Sequence, residues 1–231
     1  MDSTFVSRII RDISWPFLHN QGFTYFSSRT ARRDCDDRIE IINFQSFNSH
    51  LAQGIGCTTF SFALNLGIFF SRIPRPRPIK LEDLSKAFRP EEYHCHFRRQ
   101  MKKTPSVDAL KRLDVWSVEP DGSNVEDLVL DATFKIQNDG LPWFERYRSL
   151  DAVLEVLNMD KNPPEGTWGF GALASPNRRL MTEYVHLMRG ETRPAIEFLT
   201  SVVDFKYFAS IRQVISDDIE NLRSLAHGQA Q

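Results

Sequence analysis

The chain has 231 residues, of which 41% are hydrophobic and 26% are charged, and its formal net charge is -1. These values are typical of a globular protein that is long enough for one substantial core or two small ones. No apolar run in the sequence approaches the roughly 20 residues that cross a bilayer, which argues against a protein with membrane-spanning helices. The three cysteines are an odd number and widely spaced, which argues against a disulfide framework. Charges interrupt the N-terminal apolar residues, unlike in a signal peptide, so a reduced, cytoplasmic location is expected.

Charge is unevenly distributed along the chain. Residues 72–112 contain twelve Lys or Arg and five Asp or Glu, a net charge of +7. Residues 113–165 contain four Lys or Arg and twelve Asp or Glu, a net charge of -8. The basic segment Arg72–Arg112 could form a surface for anions or nucleic acid. Neutralisation between the two segments, or two solvated faces, is the favoured interpretation, because segment charge does not show spatial clustering.

The predicted elements begin with a helix over residues 3–20, where apolar residues recur at helical spacing. Pro16 removes a backbone donor, so a kink or an early end is expected. Strands are then predicted over residues 23–28 and 39–46, with the charged run 31–38 as the turn between them.

A longer connection over residues 47–57 leads to a third strand at 58–70, which is rich in β-branched and aromatic residues. Three prolines within residues 71–80 predict an extended connector, because proline cannot continue a sheet interior. Further strands are predicted at residues 93–101 and 115–118. Successive strands with moderate connections favour an antiparallel meander.

The second half of the chain has a helical pattern. Ser123 and Glu126 are typical of a capping box, and the following helix should end at Gly140 and Pro142. Ser149 is the expected N-cap of a short helix that reaches about residue 157.

Two further helical stretches are predicted. Ser175-Pro176 should start a helix that stops at Gly190. A final helical stretch should run from Pro194 to about Ala226, with a break near Asp204.

Together these elements predict an α+β fold, in which an antiparallel sheet of four to five strands packs against helices. Gly and Pro concentrate near residues 160–175, which places a boundary there. Residues 1–160 are expected to form the α+β core domain, and residues 161–231 a helical C-terminal extension packed on it.

Several short motifs occur in an order that resembles one known family. They are INFQ at Ile42–Gln45, FALNLGIFF at Phe62–Phe70, HCHFRR at His94–Arg99 and GLPWFERYRSLDAVLEVL at Gly140–Leu157. Over about residues 3–160 the chain resembles the bacterial family known as domain of unknown function 4304. The resemblance implies the α+β fold and a soluble, bacterial protein. It carries over no catalytic residue, because the family has none established.

His94, Cys95 and His96 are the closest cluster of metal-capable side chains. On a strand over residues 93–101, His94 and His96 would share a face and could bind one Zn²⁺. No third ligand occurs at a recognised spacing, so half-buried sheet positions are favoured, with Cys95 facing the core. The sequence predicts no cofactor, and it contains neither a nucleophile elbow nor a phosphate-binding loop.

Three amides, Asn43, Gln45 and Asn65, lie within strands where aliphatic residues would be expected. An unpaired buried amide costs on the order of 1–3 kcal/mol, so hydrogen bonds within the sheet are the favoured interpretation. A ligand or partner site on the sheet is the alternative. Arg98 and Arg99 are the next candidates, as an anion site or as the rim of an interface.

The favoured function is a non-catalytic, soluble module that presents the sheet face and basic loops to a protein partner. An immunity or toxin-neutralising role is one form of such binding. One alternative is a metal-dependent hydrolase or nuclease that uses the His94 and His96 region. The other is a nucleic-acid-binding protein that uses the basic segment Arg72–Arg112.

Overall fold

The computed structural model of the chain describes residues 3–74, 89–160 and 163–228. One sheet has the strand order β1-β2-β3-β4-β5. Its strands are β1 (Tyr25–Phe26), β2 (Thr30–Asp34), β3 (Arg38–Ser46), β4 (Phe62–Phe70) and β5 (Phe97–Gln100). The sheet is an antiparallel meander, which confirms the predicted topology and the α+β class.

Helices precede, interrupt and follow the sheet. The α-helices are α1 (Ser3–Asn20), α2 (Ser49–Ile55), α3 (Val125–Lys135), α4 (Leu141–Arg146), α5 (Leu150–Asn158), α6 (Pro176–Met188), α7 (Thr192–Val202) and α8 (Arg212–Gly228). None of the described helices is both long and apolar enough to cross a membrane. The predicted proline-rich connector lies largely outside the described residues.

The charged run 31–38 is not simply a turn, because β2 occupies most of it. Its arginines are accommodated in the sheet by specific partners. Arg33 forms an ion pair with the buried Glu40 of β3 and also donates to the Gln21 carbonyl at 2.6 Å. Arg32 donates to the Pro90 carbonyl at 2.8 Å and to Glu91. Because each charge has an acceptor, the run can extend and pair with β3.

Other strand predictions change in extent. Residues 115–118 contribute only an isolated bridge between Trp116 and Phe62, so they do not form a strand of the sheet. The sheet still has five strands, because β2 is a strand that was not predicted. The predicted strand 23–28 shrinks to β1. The connection 47–57 contains α2, whose N-cap Asn48 accepts a hydrogen bond from the Leu51 amide at 2.9 Å.

The helix α1 spans Ser3–Asn20, which confirms the predicted range; of the kink or early end expected at Pro16, the early end does not occur. The start of the helix after residue 123 differs from the prediction. The capping box at Ser123 is wrong, because α3 begins at Val125 and the Ser123 hydroxyl donates to Asp121 at 2.8 Å.

The predicted stop at Gly140 is replaced by a π-helical turn, Ile136–Gly140, which joins α3 to α4. In this turn the Leu141 amide donates to the Ile136 carbonyl, five residues back. The turn adds a residue to the helical path, so the chain continues directly into α4.

The helices after residue 148 follow the prediction closely. Ser149 accepts a hydrogen bond from the Ala152 amide at 3.4 Å, and Ser175 accepts one from the Arg178 amide at 3.2 Å. The helix α6 ends beside Gly190, whose φ of 83° lies in the left-handed region that glycine tolerates. The expected break near Asp204 separates α7 from a 3-10 turn and α8.

The described residues divide into two compact units. The first comprises residues 3–69, 90–146 and 165–168, and the second comprises residues 70–74, 89, 147–160, 163–164 and 169–228. The first unit holds nearly the whole sheet. In this division α5 belongs with the C-terminal helices, whereas the predicted core domain, residues 1–160, includes it.

A series of aromatic rings crosses the core of the first unit. Trp15 of α1 lies 5.7 Å from Phe44 of β3, and Phe44 lies 5.5 Å from Phe62 of β4, between ring centroids. Phe62 in turn stacks on Trp116 at 5.7 Å. These rings mark the face of the sheet that α1 covers. Since side chains alternate along a strand, the neighbours of Phe44 in β3 point to the other face.

In the second unit, Arg178 of α6 closes the C-terminal end of α5. Its buried guanidinium donates to the carbonyls of Val156, Leu157 and Met159, each at 2.7 Å. It also lies over the Phe170 ring at 4.9 Å. The last carbonyls of a helix have no intrahelical donor and carry the negative end of its dipole. Arg178 therefore satisfies both requirements with one side chain.

We predict that Gly67→Ala destabilises the protein strongly. A Cβ at Gly67 of β4 would lie 2.4 Å from the Sγ of the buried Cys95, closer than real contacts allow. Overpacking of this kind typically costs about 1–3 kcal/mol. The matched control is Gly54→Ala in α2, where an added Cβ meets nothing within 4 Å. Urea denaturation should show a loss for the first variant and an unchanged or higher stability for the second; equal stabilities would contradict the packing.

We predict that Arg178→Met lowers the free energy of unfolding by about 3 kcal/mol, because buried carbonyls lose a charged donor. Arg178→Lys should recover only part of this loss, since an ammonium lacks the planar fork. Arg193→Met, at an exposed position of α7, is the control and should change stability by less than about 0.5 kcal/mol. Equal effects at both arginines in chemical denaturation would argue against the capping role.

Candidate functional site

A cavity of about 790 Å³ lies in the first unit, within the range of roughly 300–1,000 Å³ that is usual for ligand sites. We call it the polar cavity. Its lining comprises Thr4, Ser7, Arg11, Ser27, Ser28, Arg29, Thr30, Asn43, Phe44, Gln45, Ser46, Glu91, Glu92, Tyr93 and Arg98. Phe44 is the one residue of this lining without a polar side-chain atom, so the cavity can offer hydrogen bonds or charge to a polar group.

The cavity receives two of the three predicted amides. Asn43 and Gln45, which point to the same face of β3, line it. Asn43 donates from Nδ2 to the Thr30 hydroxyl at 2.9 Å, and Asn65 of β4 donates to the Gln45 Oε1 at 2.7 Å. Hydrogen bonds within the sheet therefore orient all three amides. An amide group has further donor and acceptor positions, which Asn43 and Gln45 can offer to a ligand.

Arg98 of β5 also lines the cavity, but it is tied to the protein. Its Nε and Nη2 each donate to a carboxylate oxygen of the buried Glu92 at 2.7 Å, a bidentate arrangement. The guanidinium carbon lies 3.9 Å from the centroid of the Trp168 ring. Glu92 and Trp168 thus fix the position of Arg98 at the cavity wall.

Arg99, the neighbour of Arg98, lies on the opposite face of the sheet. It donates to the Asp139 carbonyl at 2.9 Å and approaches Glu165 at 3.4 Å. Arg99 is not among the residues that line the cavity. Glu165 lies in residues 113–165, the segment with a net charge of -8, and Arg99 lies in the basic segment, so this contact is one ion pair between the two segments.

His94 and His96 do not share a strand face, because β5 begins only at Phe97. His94 ends a short 3-10 turn, and its Nδ1 accepts a hydrogen bond from the Glu91 amide at 2.9 Å. His96 is buried with its ring centroid 5.1 Å from that of Phe69. Within residues 3–74, 89–160 and 163–228, no three His, Cys, Asp or Glu side chains are grouped as metal ligands. The strand predicted over residues 93–101 therefore begins only at Phe97, because the 3-10 turn Glu92–His94 precedes it.

Arg29, which no sequence motif distinguishes, precedes β2 and lines the cavity. Its Nε donates to the Ser7 hydroxyl of α1 at 3.3 Å. Its Nη1 and Nη2 are buried and have no hydrogen-bond acceptor in the described part of the chain. Burial lowers the pKa of the Arg29 guanidinium. The only signal in the sequence is the hydroxyl-rich turn Ser27-Ser28 before this arginine, and the approach of α1 could not be predicted from it.

We predict that Arg98→Met costs about 3–5 kcal/mol of unfolding free energy, because Glu92 would be left as a buried, unpaired carboxylate. The double variant Arg98→Met/Glu92→Met should be markedly more stable than the single variant. Arg112→Met is the control, because it breaks the exposed pair with Asp114 and should cost no more than about 1 kcal/mol. A double variant as unstable as the single one in thermal and urea unfolding would show that the ion pair is not what fixes Arg98.

Comparison with known proteins supplies the family. Residues 14–146, more than half of the chain, match the family described as Domain of unknown function (DUF4304). No curated protein and no solved structure matches the chain. The matched range contains all five strands, α3, α4 and most of the polar cavity. The chain therefore belongs to the DUF4304 family, as its motifs predicted.

Proposed function

We propose that this chain is a non-catalytic binding protein that presents the polar cavity and its rim to a protein partner. The observation that carries the proposal is the composition of the rim. Tyr93 lines the cavity with 64% of its surface exposed, and Trp168, which is 46% exposed, stacks on Arg98. Tyrosine, tryptophan and arginine are the residues most enriched at the centres of protein interfaces.

The cavity walls support recognition rather than chemistry. Glu92 is committed to Arg98, and Glu91 accepts from Arg32, so both lining carboxylates already have arginine partners. The amides of Asn43 and Gln45 are held by neighbouring side chains. Such fixed donors and acceptors favour binding, because little side-chain order has to be gained on association.

A toxin-neutralising or immunity role in a bacterium, as expected from the sequence, is one form of this binding. The cytoplasmic location belongs to the same proposal. It is supported by Cys35, Cys57 and Cys95, none of which forms a disulfide in the described structure, since structural disulfides are usual in oxidising compartments.

We predict that Ser46→Arg abolishes capture of a specific partner from a lysate of the source organism. Ser46 is exposed at the cavity, so a large side chain there should obstruct the site while the fold is kept. Gln53→Arg, at an exposed position of α2 outside the cavity, is the matched control. Quantitative mass spectrometry should find a protein retained by the wild type and the control but lost with Ser46→Arg.

Two results would overturn this proposal. The wild type and both variants could retain the same proteins, which would place binding elsewhere. Alternatively, the wild type could retain no protein above a bead control, which would remove protein binding itself.

A further inference from the structure

The charges of the polar cavity do not balance. Arg98 is neutralised by Glu92. Glu91 forms an ion pair with Arg32, which does not itself line the cavity. Both carboxylates of the lining are therefore occupied. Arg11 and Arg29 form no ion pair with any residue in the described ranges. The cavity consequently carries an excess of positive charge that the described protein does not compensate.

Of these two arginines, Arg29 has buried N–H donors without a hydrogen-bond acceptor among the described residues. A guanidinium carries five N–H donors, and in Arg29 only the Nε donor is engaged, by the Ser7 hydroxyl. The terminal nitrogens Nη1 and Nη2 are shielded from solvent and lack an acceptor within the described structure. Buried donors in proteins are nearly always satisfied, so an acceptor that is not among the described residues is expected here. The planar fork of arginine fits the paired oxygens of a carboxylate or phosphate.

Hydroxyl groups and a helix end surround the same place. Thr4 and Ser7 come from the start of α1, and Ser27 and Ser28 come from the turn before β2. Hydroxyls donate to oxyanions, and the N-terminal end of an 18-residue helix favours negative charge. The turn is well defined, because the Ser27 amide donates to the Thr30 carbonyl at 2.8 Å.

We propose that the polar cavity binds an oxyanion, a carboxylate or phosphate group, with Arg29 as its principal ligand. This inference rests on the proposed function, for which it names the chemistry of the partner group that enters the cavity. Arg11 adds long-range attraction, and the Ser28 hydroxyl donates to a remaining oxygen, whereas the Ser27 hydroxyl already donates to the Thr30 carbonyl at 3.4 Å. The fixed Arg98–Glu92 pair forms a neutral wall and takes no part in binding the charge.

The test measures the melting temperature of the full chain during titration with sodium phosphate and, separately, with sodium acetate. Sodium chloride holds the ionic strength constant. Ligand binding to the folded state stabilises by linkage, so at about five times the dissociation constant a rise of roughly 2–4 °C is expected. A saturable rise with acetate identifies a carboxylate group, and a rise with phosphate alone identifies a phosphate group.

Substitutions test whether the rise in melting temperature comes from anion binding at Arg29. Arg29→Gln should remove the rise, whereas Arg8→Gln, an exposed arginine of α1 outside the cavity, should keep it. Ser28→Asp places a carboxylate beside Arg29 at an exposed position and should weaken anion binding at least tenfold. Ser28→Asp also decides the case if Arg29→Gln fails to fold. No rise in the wild type, or an equal rise in Arg29→Gln or Ser28→Asp, would overturn the proposal.

The anion proposal and the proposed function fail in different ways. If the partner is lost with Ser46→Arg but no anion binds, the binding function stands and the oxyanion is wrong. If phosphate or acetate binds through Arg29 but no protein is captured, the oxyanion site stands and the protein partner is wrong.

Discussion

Both units of this protein depend on one constraint: a guanidinium that leaves water must find acceptors. Arg33 meets it with Glu40, Arg98 meets it with Glu92, and Arg178 meets it with three carbonyls at the end of a helix. These contacts let charged residues occupy strands and helix junctions that would otherwise require aliphatic side chains. Arg29 is set apart because its terminal nitrogens have no such acceptor among the described residues.

Features that depend on neighbours along the chain could be predicted from the sequence, whereas arginines whose acceptors are distant in sequence could not be placed. Apolar periodicity and serine caps depend on neighbours along the chain, so α1, β3, β4, α5 and α6 were predicted nearly correctly. Strand β2 was missed because its arginines have partners in β3 and near residue 90, which sequence distance conceals. The candidate site was predicted in part: Asn43, Gln45 and Arg98 line the cavity, whereas Arg99 points to the other face. Arg29 required the three-dimensional approach of α1.

The family match and the unit division agree about where the sheet module lies. Residues 14–146 lie within the first unit apart from the described residues 70–74 and 89, which belong to the second. Thr4, Ser7 and Arg11 of the cavity precede the matched range. The start of α1 therefore supplies cavity residues from outside the segment that identifies the family. A binding preference particular to this chain could arise there without any change in the sheet.

The π-helical turn at Ile136–Gly140 absorbs one residue without changing the direction in which the following helix faces. Its hydrogen bond reaches back five residues, where an α-helix reaches back four, so one additional residue is contained within a single turn. Trp143 and Phe144 of α4 are both buried, so their side chains still reach the core after this insertion. Removal of one residue from the turn should therefore restore regular α-helical hydrogen bonds and leave these two aromatic side chains in the core.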